Sequence, residues 1–289
     1  MGGKGSTMSS KRRKLKKQFK GWLATVLLIL MAIVMLLPFY YVLVSTFKTA
    51  EEVTFHPMAW PTEWHLERYV SAFWEMDYPR SLLNTLLISI PTVLLSTLFS
   101  AAAAYSIVRC QNRLNRCIYT LFLTGIIIPG GANLIALYKL MLALHLNNTR
   151  IGLILLSCGG VSLLSLFMLR NFLSSAVTVE IEEAADIDGC GILGKFIFIA
   201  LPLMKSILAT NIIVSLTNVW NSFMYPSLFL QDRSKHPLLV KVYECVGQFS
   251  TDWLTMFNML VLALIPLTIL FLIFQKQIIE GVASGAVKG

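Results

Sequence analysis

The sequence predicts an all-α polytopic membrane protein with six transmembrane helices. Three observations carry that reading. The 289 residues are 56% hydrophobic and only 13% charged, where a soluble domain carries about 25% charged residues. Six windows stay apolar long enough for a helix to cross a bilayer core of about 30 Å. All 15 acidic residues fall outside those windows. An ionisable group in a span is costly and marks an ion or proton path, so this last feature argues against a proton-driven carrier.

The elements follow in chain order. Residues 1–20 form a basic tail with Lys11, Arg12, Arg13, Lys14, Lys16, Lys17 and Lys20, expected as a solvated cytoplasmic anchor; Met8 offers an alternative start. The first apolar segment is too long for a cleavable signal peptide and lacks a small-residue cleavage site. Span one is 21–46, with Pro38 and the aromatics Phe39, Tyr40 and Tyr41. The loop after it carries Trp60, Trp64 and Trp74, suited to an interface or a docking surface. Span two is 82–106, whose Ala101–Ala104 run permits tight helix packing. Span three, 117–143, is interrupted at Pro129-Gly130-Gly131. That break is either a hinge or unwound segment lining a cavity or a simple kink. Span four is 151–173, span five 203–228 and span six 254–275, with residues 277–289 as a tail. Lys139 and Arg170 lie near span ends and are expected to snorkel.

Six spans put both termini on one side. Placing them in the cytoplasm puts most of the 24 basic residues there: the N-terminal run, Arg109, Arg113, Arg116, Arg170, Lys195, Lys205, Lys276 and Lys288. The net charge of +9 then faces anionic lipid rather than nucleic acid. The five cysteines are scattered with no metal-ligand spacing, so neither a disulfide framework nor a metal site is expected. No phosphate-binding glycine loop, HExxH or Ser/His/Asp pattern occurs. The chain is therefore expected to have no catalytic residues, no bound cofactor and no metal, and to draw its energy from a partner.

The least membrane-like stretch of the second half runs from Thr178 to Pro202. Glu180, Glu182, Glu183, Asp186 and Asp188 crowd together there. Thr178 is placed to cap a short helix, acids suit its positive end, and Gly189 and Gly191 are expected to end it. Ile181, Ala184 and Ala185 share a face at spacings of three and four. A helix this short needs something to dock on. The pattern Glu183-Ala184-Ala185, Gly189, nine residues, then Ile199, Leu201 and Pro202 resembles the EAA loop of ABC-importer permease subunits.

Span five is the most polar span. Asn211, Asn218 and Tyr225 recur every seven residues, with Trp220 and Asn221 beside them. Amides and aromatic rings suit a sugar's hydroxyls and flat ring face; amides also bond across helices in membranes. Both readings stand at this point.

The resemblance extends further. Trp220-Asn221 followed by Pro226 is similar to the matching span of carbohydrate importer permeases. The ending Ile279-Glu280-Gly281, then Ser284-Gly285-Ala286-Val287-Lys288-Gly289, is similar to the tail of maltose-type permeases, and Met168–Phe172 to the entry of their coupling loop. It covers roughly 20–289 and is strongest toward the lipoprotein-linked polysaccharide and oligosaccharide branch. Thr178, Cys190 and Ser206 depart from that branch's usual proline, alanine and proline.

The resemblance implies a type I ABC importer permease fold in a bacterial cytoplasmic (inner) membrane. Residues 21–276 would form the six-helix domain, with a cytoplasmic coupling loop at 175–202. It implies ATPase coupling through Glu183, Ala184, Ala185, Asp188, Gly189, Leu201 and Pro202, an ATPase contact through Gly285, Lys288 and Gly289, and a substrate pathway at Asn218, Trp220, Asn221 and Tyr225. Implied partners are a second homologous permease, two ATP-binding subunits, an extracytoplasmic solute-binding protein and membrane lipid. The alternatives are an importer permease for a non-sugar solute and a secondary carrier.

Overall fold

The computed structural model describes residues 5–110, 112–127, 130–247 and 251–286. Helix α1 (Gly5–Ser45) is continuous, so the basic run expected as a solvated tail lies within helical backbone. Its membrane-length part, Gly21–Ser45, is apolar and mostly exposed, with Val44 and Ser45 at its end buried. It packs on the last helix, where Tyr41 meets Phe257 edge to face at 5.7 Å between ring centroids. A folded loop follows, with α2 (Ala50–Phe55) and α3 (Glu67–Glu75). Thr49 and Glu52 form a reciprocal capping box. The Glu52 carboxylate also accepts from Thr62. The Thr62 hydroxyl, then the Thr49 and Thr62 backbone N–H groups, hold its pKa down to about 2. Lys48 is fully buried and donates to the carbonyls of His56 and Pro57 at 2.8 and 2.9 Å.

The centre of the protein is α4 (Tyr78–Arg109) against α7 (Arg150–Ala176). Ala101 and Ala104 are fully buried, and the small-residue face continues up α4 through Ser100, Ser96, Thr92, Ser89 and Ser81. Small side chains let two helices approach closely where lipid gives no hydrophobic drive to pair. The hydroxyls are satisfied locally or across the pair: Thr92 donates to the Ile88 carbonyl at 2.7 Å and Ser100 to the Ser162 carbonyl at 3.3 Å.

Between them lie α5 (Arg113–Ile127), a 3₁₀ turn at Gly130–Asn133 and α6 (Leu134–Ala143). The helix is interrupted where expected, though Pro129 itself falls outside the described residues. Arg170 is half-buried, and its guanidinium stacks 4.8 Å above the Tyr119 ring. After α7 come α8 (Val179–Ile187), α9 (Ile192–Lys195), a π-turn at Phe196–Ala200, α10 (Leu201–Leu203) and α11 (Lys205–Trp220). Helices α12 (Met224–Phe229), α13 (Leu238–Tyr243) and α14 (Trp253–Ala286) complete the chain.

The span count is reached only in part, and one expectation changes. Among the described residues, four helices are long and apolar enough to span: Gly21–Ser45, α4, α7 and Trp253–Gln275. A bent pair, Ile192–Leu203 with Lys205–Trp220, makes a fifth if the two helices are one span. The α5–α6 pair stops at 15 and 10 residues on either side of its break. Span five, by contrast, is not one helix over 203–228. It starts earlier, at Ile192, bends by 77° at Met204 and ends at Trp220. A turn at 221–223 then separates Tyr225 from the Asn211–Asn218 face, so the seven-residue spacing does not put the three on one surface. Helix α14 likewise runs beyond the expected end of span six, as far as Ala286.

Candidate coupling site

Helix α8 stands outside the apolar spans, between the end of α7 and the start of α9. Thr178 holds the N-cap position but does not cap it. Its hydroxyl bonds the Glu180 carboxylate, which also takes its own backbone N–H; these two bonds, the backbone one larger, hold Glu180 below the usual carboxylate range. The acid therefore does at the helix start what the threonine was expected to do. At the other end Gly189 has φ +77°, and the N–H groups of Gly189 and Cys190 reach back to Asp186 and Ala185 at 3.0 and 2.9 Å. Only glycine takes that left-handed turn without strain. Gly191 does not end α8; it is the N-cap of α9.

The face expected of Ile181, Ala184 and Ala185 is split between inside and outside. Glu182, only 5% exposed, and Ala185 turn inward, while Ile181 and Ala184 face out. Glu182 accepts from Arg109 Nε at 2.9 Å and from the Tyr105 hydroxyl at 3.1 Å. Arg109 also donates Nη2 to the Val177 carbonyl at 2.6 Å. One arginine at the end of α4 thus ties down both α8 and the end of α7. Beneath this contact is an apolar core of Ala101, Ala104, Tyr105, Leu169, Leu173, Val177, Phe196, Ala200 and Met204, with Leu201 packed against it. Lys195 and Asp186 close the loop with an ion pair at 2.7 Å.

Glu183, Ala184, Asp188 and Gly189 are exposed, as is Ile187 at 88%. Pro202 is exposed beside the Met204 bend. Gly285 is in the last turn of α14, and Lys288 and Gly289 lie outside the described residues. The sequence reading missed the Arg109–Glu182–Tyr105 anchor. Its signal was available in the spacing of Glu182 and Ala185, but Arg109 counted only toward topology.

The span-five residues separate into two groups. Asn211 is buried and donates Nδ2 to the Thr97 hydroxyl at 3.0 Å. Trp220, 5% exposed, is packed among Ala72, Met76, Leu238, Val242, Met259 and Ala263. Asn218 and Asn221 are exposed. Tyr225 is half-buried beside Ile88, Leu153 and Leu230.

No family model matches the chain. It is 33% identical over 274 residues to the multiple sugar-binding transport system permease protein MsmG of Streptococcus mutans, covering 91% of this chain and 95% of that protein. It is 30% identical to the melibiose/raffinose/stachyose import permease protein MelC of Bacillus subtilis, with 92% and 96% covered. The probable ABC transporter permease protein YurM of the same organism is 31% identical, with 91% and 87% covered. In fold the chain matches the crystal structure of a bacterial ABC transporter involved in the import of the acidic polysaccharide alginate. The TM-score is 0.77 at 22% identity, over 90% of this chain and 97% of that one. The chain belongs to the family of ABC importer permease subunits that includes these sugar-transport proteins, and it is an integral membrane protein.

Proposed function

We propose that this chain is one half of the translocation pathway of an ATP-driven oligosaccharide importer in a bacterial cytoplasmic membrane. The α5–α6 pair serves as a broken sixth span, and both termini are cytoplasmic. A second, homologous permease supplies the other half, two ATP-binding subunits sit beneath, and an extracytoplasmic solute-binding protein delivers the sugar. The names of the similar proteins, which cover melibiose, raffinose and stachyose and starch degradation products, support an oligosaccharide.

One observation carries the coupling role. Helix α8 is fixed to the core by Glu182 yet presents Glu183, Ala184 and Ile187 outward. A rigid helix with an isoleucine 88% exposed among acids is completed by a partner groove with an apolar floor and a basic rim. Glu183 then makes a charge-assisted bond to an ATPase cation. Ala184 allows close approach, Gly189 and Asp188 shape the turn, and Leu201–Pro202 carry the displacement to the Met204 bend. Gly285, Lys288 and Gly289 reach the ATPase pair from the other terminus. Closure of that pair on ATP moves α8 and, through Arg109, α4 and α7 with it, which is the rigid-body logic of alternating access.

For substrate we assign Asn218, Asn221 and Tyr225 to the pathway, since an exposed amide in a span needs water, sugar or a partner. Trp220 supports that surface from behind. The test is Glu183→Ala and Gly189→Asp in the assembled transporter. Loss of one charged bond costs about 1.5–3 kcal/mol, so ATPase attachment should weaken about tenfold or more, with insertion unchanged. Sugar-stimulated ATP hydrolysis equal to wild type in both variants would overturn the assignment.

A further inference from the structure

His236 lies where the loop after α12 turns into α13, and it is buried. Its Nε2 is 2.9 Å from the Leu230 carbonyl oxygen, and its Nδ1 is 2.7 Å from Glu244 Oε1. Leu230 closes α12 and packs with Ile88 and Leu153, while Glu244 closes α13. One imidazole thus clips the end of α12 to the end of α13.

Both of its neighbours are acceptors. A carbonyl oxygen and a carboxylate have no proton to give, and a neutral imidazole has one N–H. Whichever tautomer it took, a neutral ring would turn a lone pair toward one of the two oxygens. Both bonds form together when each ring nitrogen carries a proton. A protonated Glu244 donating to a neutral ring would also satisfy the geometry. However, the other carboxylate oxygen, Oε2, faces Lys241 at 3.4 Å and Arg233 at 3.9 Å, and two cations favour the carboxylate form. The extra proton therefore belongs on the ring.

Among the described residues the remaining charged groups around the loop are engaged elsewhere. Arg150 of α7 is bound to the Asn84 side-chain carbonyl, and Lys235 to Asp232 and the Asn148 carbonyl. Asn84 and Thr85, which reach the loop from α4, are neutral. Glu75 of α3 and Asp252 act on Cys245: burial first, then the charges of Glu75, Asp252 and Glu244, push its thiol up to about 11, so it stays uncharged.

We propose that His236 and Glu244 form a proton-operated latch on the loop 231–247, closed when the ring is an imidazolium and open when it is neutral. Loss of the proton leaves Glu244 paired with Lys241 and Arg233, so the clip alone is lost. Asn84, Thr85 and Asn148 hold the first half of the loop in either state. Release is therefore confined to the end of α13. Tyr243 is there, 46% exposed, and stacks on Phe223 with ring centroids 3.9 Å apart. Phe223 belongs to the turn that begins at Asn221. On the pathway reading given above, the latch sets how firmly that wall of the pathway is held, and rising pH loosens it.

Val246 is exposed just beyond Glu244 and carries the reporter. A nitroxide is attached at Val246→Cys in the assembled transporter, with the native cysteines of this chain replaced by alanine and no other reactive cysteine present. Histidine changes charge between about pH 5 and 8, so spectra are taken from about pH 5.5 to about pH 9. The label should be held at the acid end and tumble several-fold faster at the alkaline end. His236→Gln has no proton to lose in this range, so its label should move alike at both ends. Glu244→Gln is the sharper variant. Its amide donates to a neutral ring that still donates to the Leu230 carbonyl, so the latch should stay closed across the whole range. Label mobility independent of pH in the unsubstituted latch would overturn the proposal. So would a Glu244→Gln latch that opened with pH as the unsubstituted one does. These two measurements decide the matter even where His236→Gln fails to assemble. No transport is measured, so the latch stands or falls whether or not Asn218 and Asn221 meet sugar.

Discussion

The two ends of α4 are tied to their surroundings by different chemistry. At one end a buried ion pair does the tying: Arg109 holds Glu182 of α8 and the Val177 carbonyl. At the other, a neutral amide does it. Asn84, almost fully buried, accepts from Arg150 Nε and Nη2 at 3.0 and 2.7 Å and donates to the Ser234 and His236 carbonyls at 2.9 and 3.1 Å. The second junction is also shared. Thr85 accepts the Leu238 N–H at 2.9 Å, and Asn148 accepts the N–H groups of Gln231 and Asp232 and, through its carbonyl, Lys235. The first is a strap that gathers on one carboxylate, Glu182, which Arg109 and Tyr105 of α4 both hold, so motion imposed on α8 would enter α4 within its last two turns. The second is spread over many bonds and holds its loop as part of the same body. A lever needs that combination: a defined point of input and a stiff far end.

The largest effect should come from cutting the strap. Removing one member of a buried ion pair leaves the other charge uncompensated, at about 3–5 kcal/mol. Glu182→Ala should therefore destabilise the purified complex and uncouple ATP hydrolysis from sugar, well beyond anything Glu183→Ala does to stability. The double variant Arg109→Met with Glu182→Leu should recover much of the thermal stability, because replacing both charges with apolar groups is often near neutral. Equal melting temperatures for Glu182→Ala and Glu183→Ala would mean that the carboxylate does not anchor α8.

Next in size is the shared junction. Asn84→Leu strands one guanidinium and two carbonyls, and each buried group left unsatisfied costs about 1–3 kcal/mol. The surrounding bonds from Thr85 and Asn148 should confine the damage. Hydrogen exchange is expected to rise at residues 231–244 while the α8 amides stay protected. Exchange that rose at both ends together would show that the two junctions are not independent, and the contrast between strap and shared network would fail.

Part of the local shape of the α8 loop was legible in the sequence because its determinants are local. A glycine required by a positive φ, and acids at a helix start, act through neighbours in the chain. Which glutamate faces inward was not legible, because Glu182 and Glu183 differ by one step of rotation and only Arg109 and Tyr105, far away in sequence, decide between them. Span five was misread for a related reason. A seven-residue repeat implies a shared face only if the helix is unbroken, and the chain turns at 221–223. Pro226, in the first turn of α12, marked a fresh helix start. The Ala101–Ala104 run correctly indicated close packing, yet the serine and threonine positions above it belong to the same buried face of α4.

The smallest effect concerns the middle of α4, where Thr97 meets Asn211. This contact is neither strap nor network but one neutral bond between helices, of a kind worth about 0.6 kcal/mol in a membrane. Asn211→Ala should therefore lower the yield of assembled transporter slightly and leave transport per assembled complex the same for every oligosaccharide. Asn218 lies two helical turns farther along α11, exposed rather than buried. If it bonds sugar, Asn218→Ala should cost about 0.5–1.5 kcal/mol, or two- to tenfold in apparent affinity. That loss should differ between sugars of different hydroxyl geometry. The comparison is made by measuring transport of several oligosaccharides into proteoliposomes, normalised to assembled protein. A uniform loss for Asn218→Ala that tracked assembly would make it a second packing amide, and the pathway would have to be sought on another face. A sugar-dependent loss for Asn211→Ala would mean that the Thr97 bond opens during transport, so that the middle of α4 moves relative to α11 rather than with it.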